Sequence, residues 1–279
     1  GFNCPFHPFM GYPSYKTIAD LPLAERVKRM KYPAFKAQIL SEKTEKLAGP
    51  GSSVPPLADM LMEHIDFVAE KFFQLGNPPD YEQSADSSLA AKARAKGVSL
   101  MEMVYDTLLE RDGHELIYLP LYNYTEMNYD NVLKMMQHPQ ALYGLSDGGA
   151  HVGTVCDASM PTYMLTHWTR DRKRGDKLSL PRVVRMLTGA QADYMGMSDR
   201  GYIREGLKAD INVIDLDNLQ MEPPHMVQDL PAGGQRLLQG ANGYTATIVA
   251  GEVVIENGKL TGAKPGTVYR AGRQLAAAE

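Results

Sequence analysis

Three features of this sequence point to an α/β protein. Two short apolar runs, at residues 116–119 and 141–145, flank a helical pattern and form the β-α-β repeat of a parallel fold. Amphipathic helical stretches with recognisable starts and stops occupy much of the chain before them. From about residue 199 onward the pattern changes to short alternating strands separated by turns.

The elements follow in order. A loop rich in proline and aromatic residues holds Pro5, Pro8 and Pro13, and a helix is expected from Leu23 to Met30, where Leu23, Val27 and Met30 recur at helical spacing. A second helix is expected over residues 34–46, before the Gly49-Pro50-Gly51-Ser52-Ser53 loop. Over residues 57–75, Met60, Leu61, Ile65, Val68 and Phe72 share one stripe with His64, which reads as a core or interface histidine. Residues 84–96 read as a helix stopped by Gly97, and Ser99 with Glu102 forms a capping box for the helix ending near Gly113. Asn128 or Asp130 can cap a helix over residues 131–137, and Leu180-Pro181 opens one that runs to Tyr194, ahead of Gly196. In the last part, residues 209–215, 247–250 and 252–255 read as strands, and Asn257-Gly258 as a two-residue turn. Ile211, Val213, Ile248, Val249, Val253 and Ile255 are the expected core of that region.

Composition narrows the partners. The net charge of -4 and pI of about 6.0 give no reason to expect nucleic acid or an anionic membrane. The basic run from Arg170 to Lys177 is interleaved with aspartates and reads as a solvated helix end and loop. No apolar run approaches the roughly 18 residues of a membrane span. The two cysteines, Cys4 and Cys156, imply no disulfide framework and suit a reducing, cytoplasmic setting. Gly1-Phe2-Asn3-Cys4 carries neither an initiator Met nor a signal-peptide pattern and reads either as the middle of a longer protein or as a start produced by processing.

The chemistry concentrates at Ser146-Asp147-Gly148-Gly149-Ala150-His151, directly after the second apolar run. Functional groups in α/β folds gather at the carboxyl ends of strands, and glycines there allow a sharp turn. Asp147 reads either as a catalytic carboxylate or as an Asx-turn over Gly148 and Gly149. His151 reads as a substrate contact, a supporting group or a loop histidine. None of the seven histidines forms His-x-His or His-x-x-x-His, and no Cys-x-x-Cys occurs, so metal-ligand spacing is absent. Cys4 and His7 are a weak ligand pair that is set aside. Ser146 lacks a Gly-x-Ser-x-Gly elbow, and residues 232–240 lack the ending of a phosphate loop.

Taken together, residues 143–151, Leu165-Thr166-His167-Trp168-Thr169-Arg170, residues 187–192, Asp199-Arg200-Gly201, residues 206–210, residues 229–234 and Thr261-Gly262-Ala263-Lys264-Pro265-Gly266 resemble the N-acyl-D-amino-acid deacylases of the amidohydrolase superfamily. The resemblance implies the C-terminal part of a metal-dependent β/α (TIM-type) barrel with a helical insertion and a small β-sandwich. Residues 1–112 would be the loop and helical insertion, 113–198 the last barrel units, and 199–279 the C-terminal share of the sandwich. It implies deacylation of N-acyl-D-amino acids assisted by Zn²⁺, which polarises the scissile carbonyl and lowers the pKa of its bound water to about 7. Asp147 matches the family's proton shuttle and a possible metal contact, with His151, Gly148, Gly149 and Ser146 around the substrate. The family's His-x-His has no counterpart here, so the remaining zinc ligands are expected from an N-terminal half of the barrel, either cut away or supplied as a separate polypeptide. A homo-oligomer is also compatible. Competing readings are a cyclic-amide hydrolase of hydantoin or dihydropyrimidine type, and a non-catalytic assembly subunit.

Overall fold

The computed structural model describes residues 2, 7–50, 54, 56–144 and 152–269. The chain divides into two compact units, one made of Gly1–Asn131, Gly149–Cys156 and Pro223–Gln239, the other of Val132–Gly148, Asp157–Glu222 and Gly240–Glu279. Helix and sheet are both present, in keeping with an α/β chain.

The first unit is mainly helical. The expected helix Leu23–Met30 forms with those bounds, buries Val27 and Met30, and leaves Lys28 and Arg29 in its last turn, where the helix dipole favours cations. The next helix runs Pro33–Ser41, opened by its proline and shorter than the sequence pattern predicts. Ser99 caps the helix Leu100–Gly113 by accepting from Glu102 N–H at 3.1 Å, the half of the capping box that the serine supplies. Phe2, Phe9, Tyr15, Met30, Ile39, Val104, Tyr105 and Leu108 form the core. Phe9 and Tyr105 meet edge to face at 5.2 Å, and the Tyr105 hydroxyl donates to the Met30 carbonyl at 2.7 Å. An aromatic ring with its polar end bonded is a stable buried group, whereas an unpaired hydroxyl there would cost about 1–3 kcal/mol.

Two expectations fail in this unit. The single helix over residues 57–75 is instead Pro56–Glu63 and Ile65–Val68, with exposed His64 between them, followed by a short 3₁₀ turn and the strand Phe73–Gln74. His64 is therefore not a core residue. Phe72 and Phe73 are both buried, and Leu75 N–H donates to Leu116 O, so pairing with a distant segment overrides the local helical period. That distant segment is the expected strand at 116–119, reduced to Ile117–Tyr118 and paired antiparallel with Phe73–Gln74. Its predicted parallel partner does not form in the described part, since residues 141–144 carry no strand and Leu142 is exposed. A second antiparallel pair joins His225–Val227 to Arg236–Leu238.

The second unit carries the helices Met160–Thr166, Leu180–Leu187 and Gly189–Tyr194 and a four-stranded antiparallel sheet. The predicted helix from Leu180 to Tyr194 breaks at Thr188, whose φ of -130° and ψ of -91° are not helical. A Cβ on Gly189 would lie 2.7 Å from the Tyr202 ring, so the tyrosine would have to move aside to admit one. In the sheet, Glu252–Glu256 lies between Lys259–Leu260 and Tyr244–Val249, and Ile211–Ile214 pairs with the far edge of Tyr244–Val249. Asn257 (φ 47°) and Gly258 (φ 76°) make the predicted turn, both in the left-handed region that a type I′ hairpin requires. Val213 and Val253 are exposed, which corrects their place in the expected core; Ile211, Ile248, Val249 and Ile255 are half-buried. Register shifts fall after Val213 and after Thr247; Val213 itself is still in register with Ile211, so its exposure reflects how little covers that end of the sheet face.

Candidate functional site

Ser146, Asp147, Gly148, Gly149 and His151, the residues singled out for chemistry, lie outside the described residues, as does Cys4. What is described are the two stems of their loop. On the N-terminal side, in the second unit, Gln191 donates its side-chain amide to the Tyr143 carbonyl and, at 3.1 Å, to the Met186 carbonyl. The glutamine projects from Gly189–Tyr194, the helix set off by the break at Thr188. Burial pushes the Tyr143 hydroxyl well above the usual phenol range, so it stays protonated. On the C-terminal side, in the first unit, Leu237 N–H donates to the Val152 carbonyl at 2.7 Å. Each stem is thus held by a hydrogen bond to a segment far away in sequence.

The Leu165–Arg170 motif proves more ordered than its sequence suggests. Met160–Thr166 passes into a π-helical turn, His167–Asp171. Such turns are uncommon and concentrate at functional positions. The turn lays the His167 ring against Tyr163 at 4.4 Å and nearly parallel, with Trp168 edge-on to His167 at 5.4 Å. Arg172 lies over the Trp168 ring at 4.7 Å, is 2% exposed, and donates to the Asp176 carbonyl at 2.7 Å. Arg170 grips Asp171 and, through its Nη2, the Leu219 carbonyl at 2.8 Å. The basic run is therefore fastened inward at Arg170 and Arg172 rather than solvated throughout, a correction to the sequence expectation. Interleaved charges look alike in a solvated loop and in a braced one, and only the contacts separate the two.

The described histidines do not converge. His64, His114, His138 and His225 are exposed, His167 is stacked as above, and His7 packs against Tyr15 at 4.5 Å and Phe2 at 5.2 Å. Among the described residues no group of three or more His, Cys, Asp or Glu side chains is arranged to hold a metal ion. A catalytic zinc takes about three protein ligands, so the described residues do not fit one by themselves. Among the described residues no helix is long and apolar enough to cross a membrane.

Sequence reasoning missed a second cluster, in the first unit. Tyr81, Tyr118, Tyr129 and Gln239 come together from well-separated stretches, with buried Glu82 accepting from Tyr129 N–H at 2.8 Å. No motif connects these positions, and only the tyrosine-rich run at 118–129 hints at them.

Compared with known families, residues 3–255 match a family model described as "Amidohydrolase family". Comparisons with curated proteins and with solved structures give no match.

Proposed function

From the premise that this chain belongs to the amidohydrolase family, hydrolases of C–N bonds, we propose that it takes part in deacylating N-acyl-D-amino acids, with Asp147 as the proton shuttle. The observation that carries the proposal is the family match over residues 3–255 together with the Ser-Asp-Gly-Gly-Ala-His sequence at residues 146–151. Amide hydrolysis needs a group that takes a proton from the attacking water and returns it to the leaving nitrogen. In the proposed reaction Asp147 accepts the water proton as oxygen adds to the amide carbon. The tetrahedral intermediate then collapses, the C–N bond breaks, and Asp147 hands the proton to the departing amine. The products are a carboxylic acid and a free D-amino acid. A metal ion such as Zn²⁺, where bound, would polarise the carbonyl, and its ligands would lie outside the described residues.

Asp147→Asn tests the proposal in the full natural protein. Asparagine keeps the shape and removes the base, so kcat should fall by roughly 10²–10⁴ while folding, followed by circular dichroism, is unchanged. His151→Asn should cost about tenfold to a hundredfold if that ring only supports the site. An Asx-turn role predicts near-normal kcat for Asp147→Asn, because asparagine makes the same turn; that outcome removes Asp147 from the mechanism. Assaying N-acyl-D-amino acids beside hydantoins decides the substrate class.

A further inference from the structure

The Gln191 carboxamide nitrogen has two protons and two main-chain carbonyls within reach, that of Tyr143 and, at 3.1 Å, that of Met186. All three residues lie in the second unit. In an unbroken helix the Met186 carbonyl would accept from the backbone N–H of Ala190, four residues on. The break at Thr188 interrupts that ladder, and the Gln191 side chain donates to the Met186 carbonyl. The short helix Gly189–Tyr194, which carries Gln191, is itself set in place. The Tyr202 ring lies against Gly189, the Tyr202 hydroxyl donates to the Asp193 carboxylate, and Met197 N–H donates to the Ala192 carbonyl at 2.8 Å. From this anchored helix the glutamine reaches the chain at Tyr143, four residues before Asp147 in sequence and 48 before Gln191 itself.

We propose that Gln191 is a positioning residue for the amide hydrolysis, fixing the peptide group at Tyr143 from which the chain continues to Asp147. The proposal rests on the amide-hydrolase reading above. Glutamine suits the task because one side chain must donate twice: leucine donates nothing, and an ionised glutamate of the same shape only accepts. Proton transfer depends steeply on position, and a misplacement of about 1 Å costs as much as roughly 10²-fold. Release of the Tyr143 carbonyl therefore lowers kcat more than it changes KM.

Hydrogen exchange of the full natural protein, read on residues 141–151, tests the tie without any catalysis, and steady-state kinetics test its consequence. In Gln191→Leu, exchange in that stretch should quicken by at least about fivefold, while the helix Leu100–Gly113 of the other unit exchanges as before. The kcat should fall by about 10–100-fold, with KM changed by less than about threefold. Thr188→Val is the control: it removes only the bond from the Thr188 hydroxyl to the Val184 carbonyl at the same break, and should leave both readings as they were. Gln191→Glu takes the place of the leucine variant if that one fails to fold. Unchanged exchange in a folded Gln191 variant, exchange raised equally throughout the chain, an unaltered kcat, or the same effects from Thr188→Val overturns the proposal. A normal kcat in Asp147→Asn sinks the hydrolase reading instead, and the exchange result still decides the tie, so the two failures are told apart.

Discussion

Arg172 carries a full charge into a place where 2% of its surface meets solvent, against the face of Trp168. A buried guanidinium is tolerated where its donors are bonded and its plane is stacked, so both conditions hold this loop in shape. Arg172→Met keeps much of the volume but leaves the Asp176 carbonyl without this donor. It should destabilise the protein by about 2–4 kcal/mol in urea unfolding, and a change within experimental error would show that the arginine is not structural. His7 offers a pH-dependent counterpart. Burial, with nearby positive charge including Arg26, pushes its pKa from the usual 6.5 down to about 3. The unfolded chain then binds the proton more readily than the folded one at any pH between these values. Stability from the neutral ring is complete above about pH 6.5 and is lost as pH falls towards about 3, by up to ~1.4 kcal/mol per pH unit. His7→Phe should flatten that slope in pH-dependent unfolding, and an unaltered slope would assign it to other groups.

At the scale of elements, local capping and long-range pairing make separable contributions. Ser99→Ala removes the acceptor for Glu102 N–H and should cost about 1 kcal/mol, read as a lower unfolding midpoint. In the sheet, Val213 is 45% exposed while its neighbour Ile211 faces Ile248 across the ladder. Val213→Ala should therefore cost under about 0.5 kcal/mol and Ile248→Ala about 1–2 kcal/mol, reflecting partial burial. The reverse order would mean that Val213, not Ile248, is the covered residue of this sheet face. Gly113 sits at φ 82° with Val27 Cγ2 only 2.5 Å from where a Cβ would be, so Gly113→Ala meets strain and overlap together.

For the whole molecule, the scattered histidines bear on metal binding. One carboxylate does not hold a catalytic zinc at useful affinity, and the described residues supply no convergent set. The 279-residue chain purified alone should retain well under one zinc per molecule after dialysis, measured by elemental analysis. Tightly held stoichiometric zinc would place a complete ligand set inside residues 145–151 and the other stretches outside the described ones.

Sequence by itself was enough for the elements whose cause is local: Leu23–Met30 from its apolar spacing, the start of Leu100–Gly113 from Ser99, the Asn257-Gly258 hairpin from its two left-handed residues. It was also enough for membership of the amidohydrolase family, which rests on short runs of adjacent residues, while the Asp147 candidate lies outside the described residues. Tertiary structure alone decided that residues 73–74 leave the helical period to pair with 117–118, that Arg172 turns inward, that Val213 faces out, and that Tyr81, Tyr118, Tyr129 and Gln239 meet. The reason is physical. Capping and turn energies act over a few residues and leave a mark in neighbouring letters, whereas burial and strand pairing depend on segments about 40 to 160 positions apart, whose proximity no local pattern encodes.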